Sequence, residues 1–364
     1  MWLSSISATG FRNLDITCQD LSHGVNIIHG MNAQGKTSTL EAVYFCAFGR
    51  SLRASTDKEL IHFHKPGAHV GLDMVRNGYT SSLNAYIERN GQKSKKSLGV
   101  NGVPIKHMRD LFGRLLVVMF SPEDLRIIKA GPYERRRFMD MEICQISPIY
   151  YSDLKEYHRA LKQRNALLKT LQRNPKSLDN LDSLEVWDIQ LAKFGASIMA
   201  RRSKFVKNVN AIAQQIHHHI TQGTETLEVA YAPSVPSPDH YLESLAKSQK
   251  RDLVQATTTL GVHKDDINFM VNGISARYFG SQGQQRTAAL SIKLAEIELI
   301  KQSTKETPVL LLDDVLSELD GSRQHFLLKH IQDLQTLVTC TGLEDILLTM
   351  QDHRIFKMEN GSIV

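Results

Sequence analysis

The sequence lacks the features that would place a protein outside the cell or in a membrane. Only four cysteines occur in 364 residues, and Cys18, Cys46, Cys144 and Cys340 show neither paired nor metal-ligand spacing. A disulfide scaffold is therefore not expected, and the thiols read as small core residues in a reducing compartment. No stretch approaches the ~20 apolar residues needed to cross a bilayer, and Met1-Trp2-Leu3-Ser4-Ser5-Ile6 has no basic head before a long apolar run. A soluble, cytoplasmic protein with no membrane is expected. His217-His218-His219 lacks the i, i+4 spacing and third ligand of a metal site. A large excess of one charge is missing as well: 44 Lys and Arg against 38 Asp and Glu leave +6, which permits a polyanionic partner without requiring one.

What is present begins with Gly30-Met31-Asn32-Ala33-Gln34-Gly35-Lys36-Thr37-Ser38, an ungapped match to G-x-x-x-x-G-K-[ST]. Val25 to His29 before it reads as a short apolar strand, and Thr39 to Phe48 after it as a helix with Leu40, Val43, Tyr44 and Ala47 on one face. Strand, glycine loop and helix in that order form a phosphate cradle: the glycines let backbone N–H groups turn inward, and the helix start adds partial positive charge. Lys36 is expected to reach the β- and γ-phosphates and Thr37 to hold Mg²⁺. Val309-Leu310-Leu311-Leu312-Asp313-Asp314 is the complementary element, a buried strand ending in two carboxylates. Asp313 is expected to bind Mg²⁺ and Asp314 to orient or deprotonate a water.

Around these lie strands and helices of other kinds. Trp2, Leu3 and Ile6, then Leu14 and Ile16, mark two strands, and the segments His69 to Val75 and Tyr79 to Arg89, with Asn77-Gly78 and Asn90-Gly91 turns, predict an antiparallel β layer beside a parallel core. Leu115 to Phe120 reads as a strand buried on both faces. From there to about residue 220 the period is helical: Leu154, Tyr157, Leu161, Leu168 and Leu171 share one face, and Leu184, Trp187, Leu191, Phe194 and Ile198 another, with a break from Asn174-Pro175 to Asn180. The predicted class is α/β, with residues 1–120 and 260–364 forming one lobe from both chain ends and 121–259 an inserted, mainly helical lobe.

Several features admit two readings. Arg12-Asn13 is either a solvated turn or a contact to nucleotide. The lysines between 93 and 96 are either a hairpin tip or a nucleic-acid contact. Arg135, Arg136, Arg137, Lys155, Arg159, Lys162, Arg164, Lys169, Arg173, Arg201, Arg202, Lys204 and Lys207 gather in the helical lobe, as a mixed solvated surface or a DNA-contacting one. Ser281-Gln282-Gly283-Gln284-Gln285-Arg286 opens an apolar-periodic helix, either plainly capped or seating an anion. A second phosphate seat in a chain with a complete phosphate loop makes most sense in trans, in a head-to-tail dimer.

S-Q-G-Q-Q-R resembles the signature motif of the ABC-type P-loop ATPases, and Leu316-Ser317-Glu318-Leu319-Asp320 resembles their D-loop. Gly10-Phe11-Arg12-Asn13, the phosphate loop, Gly49-Arg50-Ser51-Leu52-Arg53, Phe120 to Leu125, Leu161-Lys162-Gln163-Arg164-Asn165, His263-Lys264-Asp265-Asp266 and S-Q-G-Q-Q-R together resemble the RecF family, which is related to SMC-like heads. The resemblance covers almost the whole chain. It implies an ABC-type ATPase head whose ATP-driven homodimer binds single- and double-stranded DNA, with gap junctions as the expected target, and releases it on hydrolysis. It also implies recombinational repair and replication-fork maintenance, with RecR and RecO as partners and RecA loading as the outcome.

Carried over residue by residue, Lys36, Asp313 and Asp314 are the expected catalytic set. Arg12, Asn13, Gly30, Met31, Asn32, Ala33, Gln34, Gly35, Lys36, Thr37, Ser38 and, from the partner, Ser281 and Gln284 are expected to bind ATP, with Mg²⁺ on Thr37 and Asp313. Ser121 stands where transporter ATPases carry a glutamine, and Cys340 follows the strand where they carry a switch histidine. Both departures fit a slow timing switch better than a motor, and the expected activity is a weak, DNA-stimulated ATPase used as a switch. The alternatives are an ATPase subunit of a membrane transporter and a nucleotide-binding module with no turnover.

Overall fold

The computed structural model describes residues 1–173, 182–342 and 352–364. The expected break between Asn174 and Asn180 lies outside them. The first part of the chain forms strands β1 (Trp2–Phe11), β2 (Leu14–Asp20) and β3 (Val25–His29), helix α1 (Lys36–Phe48), then β4 (Gly67–Arg76), β5 (Tyr79–Asn90), β6 (Lys93–Val100), β7 (Val103–Pro104) and β8 (Val117–Phe120). The middle carries α2 (Leu125–Lys129), α3 (Pro132–Ile146), α4 (Pro148–Arg173), α5 (Asp182–Ile220), β9 (Leu227–Ala232), α6 (Tyr241–Gln255), β10 (Asp266–Val271), β11 (Ile274–Ser275) and α7 (Ala276–Phe279). Then follow α8 (Gln282–Thr304), β12 (Val309–Asp313), α9 (Gly321–His330), β13 (Thr336–Cys340), β14 (His353–Glu359) and β15 (Ser362–Ile363).

The chain divides into two compact units, residues 1–124 with 296–364, and 125–295. The first unit holds two sheets. One has the order β2-β1-β4-β5-β6-β7 with every pairing antiparallel, the layer that the alternating pattern and Asn-Gly turns predict. The other has the order β15-β14-β3-β13-β12-β8; its strands from β14 to β8 pair in parallel, and β15 joins β14 antiparallel. Helix α1 packs against strands of both sheets. It therefore differs from the one-faced helix expected: Leu40, Ala42, Val43, Phe45, Ala47 and Phe48 are all buried, as befits a helix covered on two sides. Each large side chain so buried contributes about 1.5–3 kcal/mol. Gln335, itself buried, ties the two sheets by accepting from the Leu3 N–H at 2.6 Å and donating to the Leu3 carbonyl at 2.7 Å.

The second unit is mainly helical, with α4 packed along α5 and the small sheet β11-β10-β9 beside α5. Its boundary differs from the expected split at residue 260, because 260–295 belongs to this unit. The physical reason is a set of buried ion pairs. Arg135 donates to both oxygens of Asp266 at 2.6 and 2.9 Å, and Arg202 reaches Asp140 at 2.8 Å and Asp265 at 3.1 Å. β10 also pairs β9 along its length. Arg164 forms a third centre, donating to Asp188 at 2.5 Å, Asp252 at 2.6 Å and the Thr258 hydroxyl at 3.0 Å. Burial pushes His263 down to about 4, so the ring is neutral near pH 7. Its Nε2–H can donate to the Thr258 carbonyl while Nδ1 accepts from the Tyr157 hydroxyl at 2.8 Å.

These arginines therefore hold the fold. Removing one partner of a buried pair leaves an uncompensated charge, and the cost is about 3–5 kcal/mol. Arg164→Ala is expected to lower unfolding free energy in urea by that amount, whereas Arg159→Ala, whose side chain is 73% exposed on the same helix, changes it by less than about 1 kcal/mol. Equal denaturation curves for the two variants would refute the structural role of Arg164.

Candidate nucleotide site

The site is set by strand order. β3 runs into the glycine loop, β12 ends at Asp313, and β13 lies between them with Thr339 beside Asp313 on one side and beside Ile28 on the other. All three point their carboxyl ends the same way, the end of a parallel sheet at which ligands bind. Thr37, first turn of α1, thereby meets the end of β12: its hydroxyl donates to Asp313 Oδ1 at 2.7 Å. The Thr339 hydroxyl donates to the same oxygen at 2.9 Å, and the Asp314 N–H donates to the Thr339 hydroxyl at 3.1 Å. Asp314 itself adopts φ 53, a left-handed conformation that aspartate tolerates better than most residues.

The loop is built around two glycines. At Gly30 (φ 153) an added Cβ would lie 2.5 Å from the Met358 carbonyl oxygen, and at Gly35 (φ 113) it would lie 2.9 Å from Leu14 Cδ2. The Lys36 ammonium donates to the carbonyls of Gly30 at 2.6 Å and Met31 at 2.9 Å, curling over the loop. Asn13 braces the loop from the first hairpin, donating to the Ala33 carbonyl and accepting from the Ser38 hydroxyl, each at 3.1 Å. Arg12 resolves into a role between the two readings open to it. It donates to both oxygens of buried Glu41 at 2.9 and 3.0 Å and to the Glu59 carbonyl at 3.1 Å, Ser51 donates to the Glu41 carboxylate at 2.5 Å, and Arg12 also lines the cavity.

That cavity measures about 530 Å³ and gathers Arg12, Asn13, Asn32, Ala33, Gly35, Lys36, Thr37, Ser38, Asp313 and Asp314. Gly30 and Met31 contribute the carbonyls under Lys36. Gln34 turns elsewhere: its side-chain oxygen accepts from the Asn360 N–H at 2.6 Å and its carbonyl from the Gly361 N–H at 2.9 Å. Ser281 and Gln284 belong to the second unit, at the start of α8, where Gln284 N–H donates to the Ser281 hydroxyl at 3.2 Å and Gln284 Oε1 accepts from the Ser281 N–H at 2.9 Å. This reciprocal pair is a capping box.

The same wall includes residues that sequence reasoning passed over: Thr339, and a segment represented by Glu59, Ile61, His62 and Phe63. Thr339 had a signal, a hydroxyl at the carboxyl end of a buried strand, after Leu337 and Val338 and just before Cys340. Phe63 had little, being an isolated aromatic between two histidines, yet it is 90% exposed while its segment is tied down. His62 N–H donates to the Gly10 carbonyl at 2.8 Å, and Arg89 donates to the carbonyls of His62 and Lys65, each at 3.1 Å. Glu59 is held near pKa about 2 by hydrogen bonds from the Ser55 and Thr56 hydroxyls, so its charge serves the local turn.

Comparison with known proteins gives a consistent picture. A family model described as the RecF/RecN/SMC N terminal domain matches residues 2–363. Proteins named DNA replication and repair protein RecF from Lachnospira eligens and Lachnoclostridium phytofermentans are 45% and 46% identical, over 100% of this chain and 99% of each relative. A solved structure of the recombination mediator protein RecF-ATP in the RecFOR pathway superposes with TM-score 0.90 at 34% identity, covering 100% of this chain and 97% of that one. The Smc head domain from Pyrococcus furiosus, with an extended coiled coil and bound to the C-terminal domain of ScpA, aligns at TM-score 0.56 and 16% identity, a likeness of fold.

The grip of the last hairpin on the loop generates a test. Gly361 has φ +82, and a Cβ there would sit 1.7 Å from the Asn13 carbonyl oxygen. Gly361→Ala is expected to destabilise by more than the roughly 1–2 kcal/mol of left-handed strain alone and to speed hydrogen exchange at residues 30–35. Gly78→Ala, at φ +80 with no heavy atom within 4 Å, should show the strain without the loop effect. Unchanged exchange in Gly361→Ala would mean that the hairpin does not hold the loop.

Proposed function

The chain belongs to the RecF family of DNA replication and repair proteins, and from that premise we propose that it is an ATP-gated DNA-binding switch of recombinational repair. The observation that carries the reading is the 2.7 Å hydrogen bond between Thr37 and Asp313, which joins phosphate loop and carboxylate strand across 276 residues. A hydroxyl and a carboxylate oxygen so placed are a fitting donor pair for Mg²⁺, a hard cation that takes few protein ligands and keeps water. Mg²⁺ supplies charge neutralisation at the β- and γ-phosphates. Lys36 exchanges its loop carbonyls for phosphate oxygens, Arg12 and Asn13 flank the same anion, and Asp314 lies beside Asp313 to orient a water. Phe63, exposed at the cavity wall on a segment held at His62 and Lys65, offers a flat apolar face to the nucleotide base.

Turnover on this reading is slow and stimulated by DNA, and it times release. ATP closes a head-to-tail dimer in which Ser281 and Gln284 of the partner meet the γ-phosphate. The dimer holds single- and double-stranded DNA, with gap junctions as the physiological target, and works in the cytoplasm with RecR and RecO to load RecA. Arg135, Arg164 and Arg202 are buried in ion pairs and unsuited to DNA contact. Exposed Lys155, Lys162, Lys169, Lys204 and Lys207 on α4 and α5 are the better candidates. Among the described residues no helix is long and apolar enough to cross a membrane, and family membership favours this reading over a transporter subunit.

Molar mass in solution with ADP, with ATP, and with ATP plus a gapped duplex tests the switch. A monomer with ADP and a dimer with ATP, strengthened by DNA, is expected; a monomer throughout would overturn the dimer. Lys36→Met should lose ATP binding, while Ser281→Arg should bind ATP and stay monomeric. Phe63→Ala should weaken ATP binding about tenfold and Phe63→Tyr should preserve it, the scale of one base–aromatic stack. Equal affinity of all three proteins would remove Phe63 from the site.

A further inference from the structure

The capping box of Ser281 and Gln284 does not stand alone. Gln284 uses its side-chain oxygen to accept from the Ser281 N–H, and its amide Nε2 donates at 3.0 Å to Glu225 Oε1. Glu225 lies in the turn between α5 and β9, its side chain 22% exposed, and its other oxygen is 3.4 Å from Nε2 of His217 in the last turn of α5. His217 is fully buried, and its Nδ1 is 3.1 Å from the hydroxyl of Ser291 on α8. Glu225 is thus a two-ended brace: one oxygen fixes the Gln284 amide, the other faces a ring that is itself wedged between two helices.

The consequence falls on Ser281. A glutamine amide can rotate so that oxygen and nitrogen exchange places, and either orientation is open to it unless a neighbour decides. A carboxylate can only accept, so Glu225 forces Nε2 toward itself and leaves Oε1 facing the Ser281 N–H. With Gln284 N–H donating to the Ser281 oxygen, the hydroxyl hydrogen of Ser281 is directed away from the cap. It lies beside the first-turn N–H groups of α8, which have no acceptor within the helix. Ser281, Gln282 and Gly283 are all exposed at this end.

We propose that Glu225 is a positioning residue for the signature motif: by fixing the Gln284 amide it pre-orients the Ser281 hydroxyl to donate to a phosphate of nucleotide held by a second copy of this chain. The proposal rests on the trans-dimer reading above. Loss of a charge-assisted hydrogen bond that orders a binding group weakens association about tenfold.

The test is the ATP-dependent dimer dissociation constant, measured by sedimentation alongside ATP affinity of the monomer and thermal stability. Glu225→Ala should raise the dimer constant about tenfold with monomer ATP affinity unchanged. Glu225→Gln, whose carbonyl still accepts from Gln284, should stay within about twofold of the parent. A general structural defect would lower thermal stability and ATP affinity together, and it would not be rescued by glutamine. If Ser281→Arg abolishes the dimer while Glu225→Ala leaves it intact, or if glutamine is as damaging as alanine, the role of Glu225 is overturned and the trans site stands. If the parent protein stays monomeric with ATP, or Ser281→Arg dimerises normally, the trans reading itself fails and takes the proposal with it.

Discussion

The hydrogen bond from Thr37 to Asp313 depends on strand order more than on either residue. Parallel strands in fixed register bring their carboxyl ends to one edge, and β13 sets the gap between β3 and β12 at one strand. A shift of one residue along β12 would turn Asp313 to the opposite face of the sheet and carry it away from the loop. Thr339 guards against that error, because its hydroxyl bonds both the Asp313 carboxylate and the Asp314 N–H. The residue is a structural gauge for the two acids, and it sits on the strand that neither motif contains.

The placement of positive charge follows a different logic in the second unit. The helical stretch is rich in arginine and lysine, and composition treats them alike. Structure separates them by chemistry: Arg135, Arg164 and Arg202 are buried, each meeting carboxylates through the planar fork that allows several donors at once. Burial raises the Asp188 carboxyl even with Arg164 beside it, a sign of how strongly low polarity opposes isolated charge there. The exposed cations are largely lysines, whose compact ammonium keeps its water and suits phosphate contact as a point charge. A count of basic residues in this lobe therefore overstates the charge that a polyanion could meet.

The phosphate loop, the strand ending in Asp313 and Asp314, and the antiparallel layer were legible in the sequence because each has a local signature: fixed glycine spacing, an apolar run closed by acids, alternation with Asn-Gly turns. Three things were not legible, for one reason. The full burial of α1, the attachment of 260–295 to the helical unit and the part played by Gln34 all arise from contacts distant in sequence. Gln34 sits inside a motif of which Asn32, Ala33, Gly35, Lys36, Thr37 and Ser38 line the cavity, yet its side chain serves Asn360. Ser281 shows the limit from the other side. The motif resemblance points to an anion seat, and the structure shows the capping box that the residue pattern S-x-x-Q equally encodes; the cap leaves the hydroxyl hydrogen of Ser281 available, so one geometry can serve both purposes.

The loop's dependence on the far end of the chain has a consequence for how the site forms. Gln34 is bonded by Asn360 and Gly361, Asp15 N–H donates to the Gly361 carbonyl at 2.9 Å, and Gln335 joins Leu3 across 332 residues. Closing contacts of that span carries a chain-entropy cost that rises only slowly with length, so a long middle segment between the two halves adds little to it. The same separation means that a phosphate loop made early in synthesis is without its brace until the last hairpin exists. Strand β3 is likewise flanked on both sides by strands from the C-terminal part, β13 and β14. The binding loop and the complete parallel sheet therefore form together, and a partial chain holds the motif without the geometry that makes it a site.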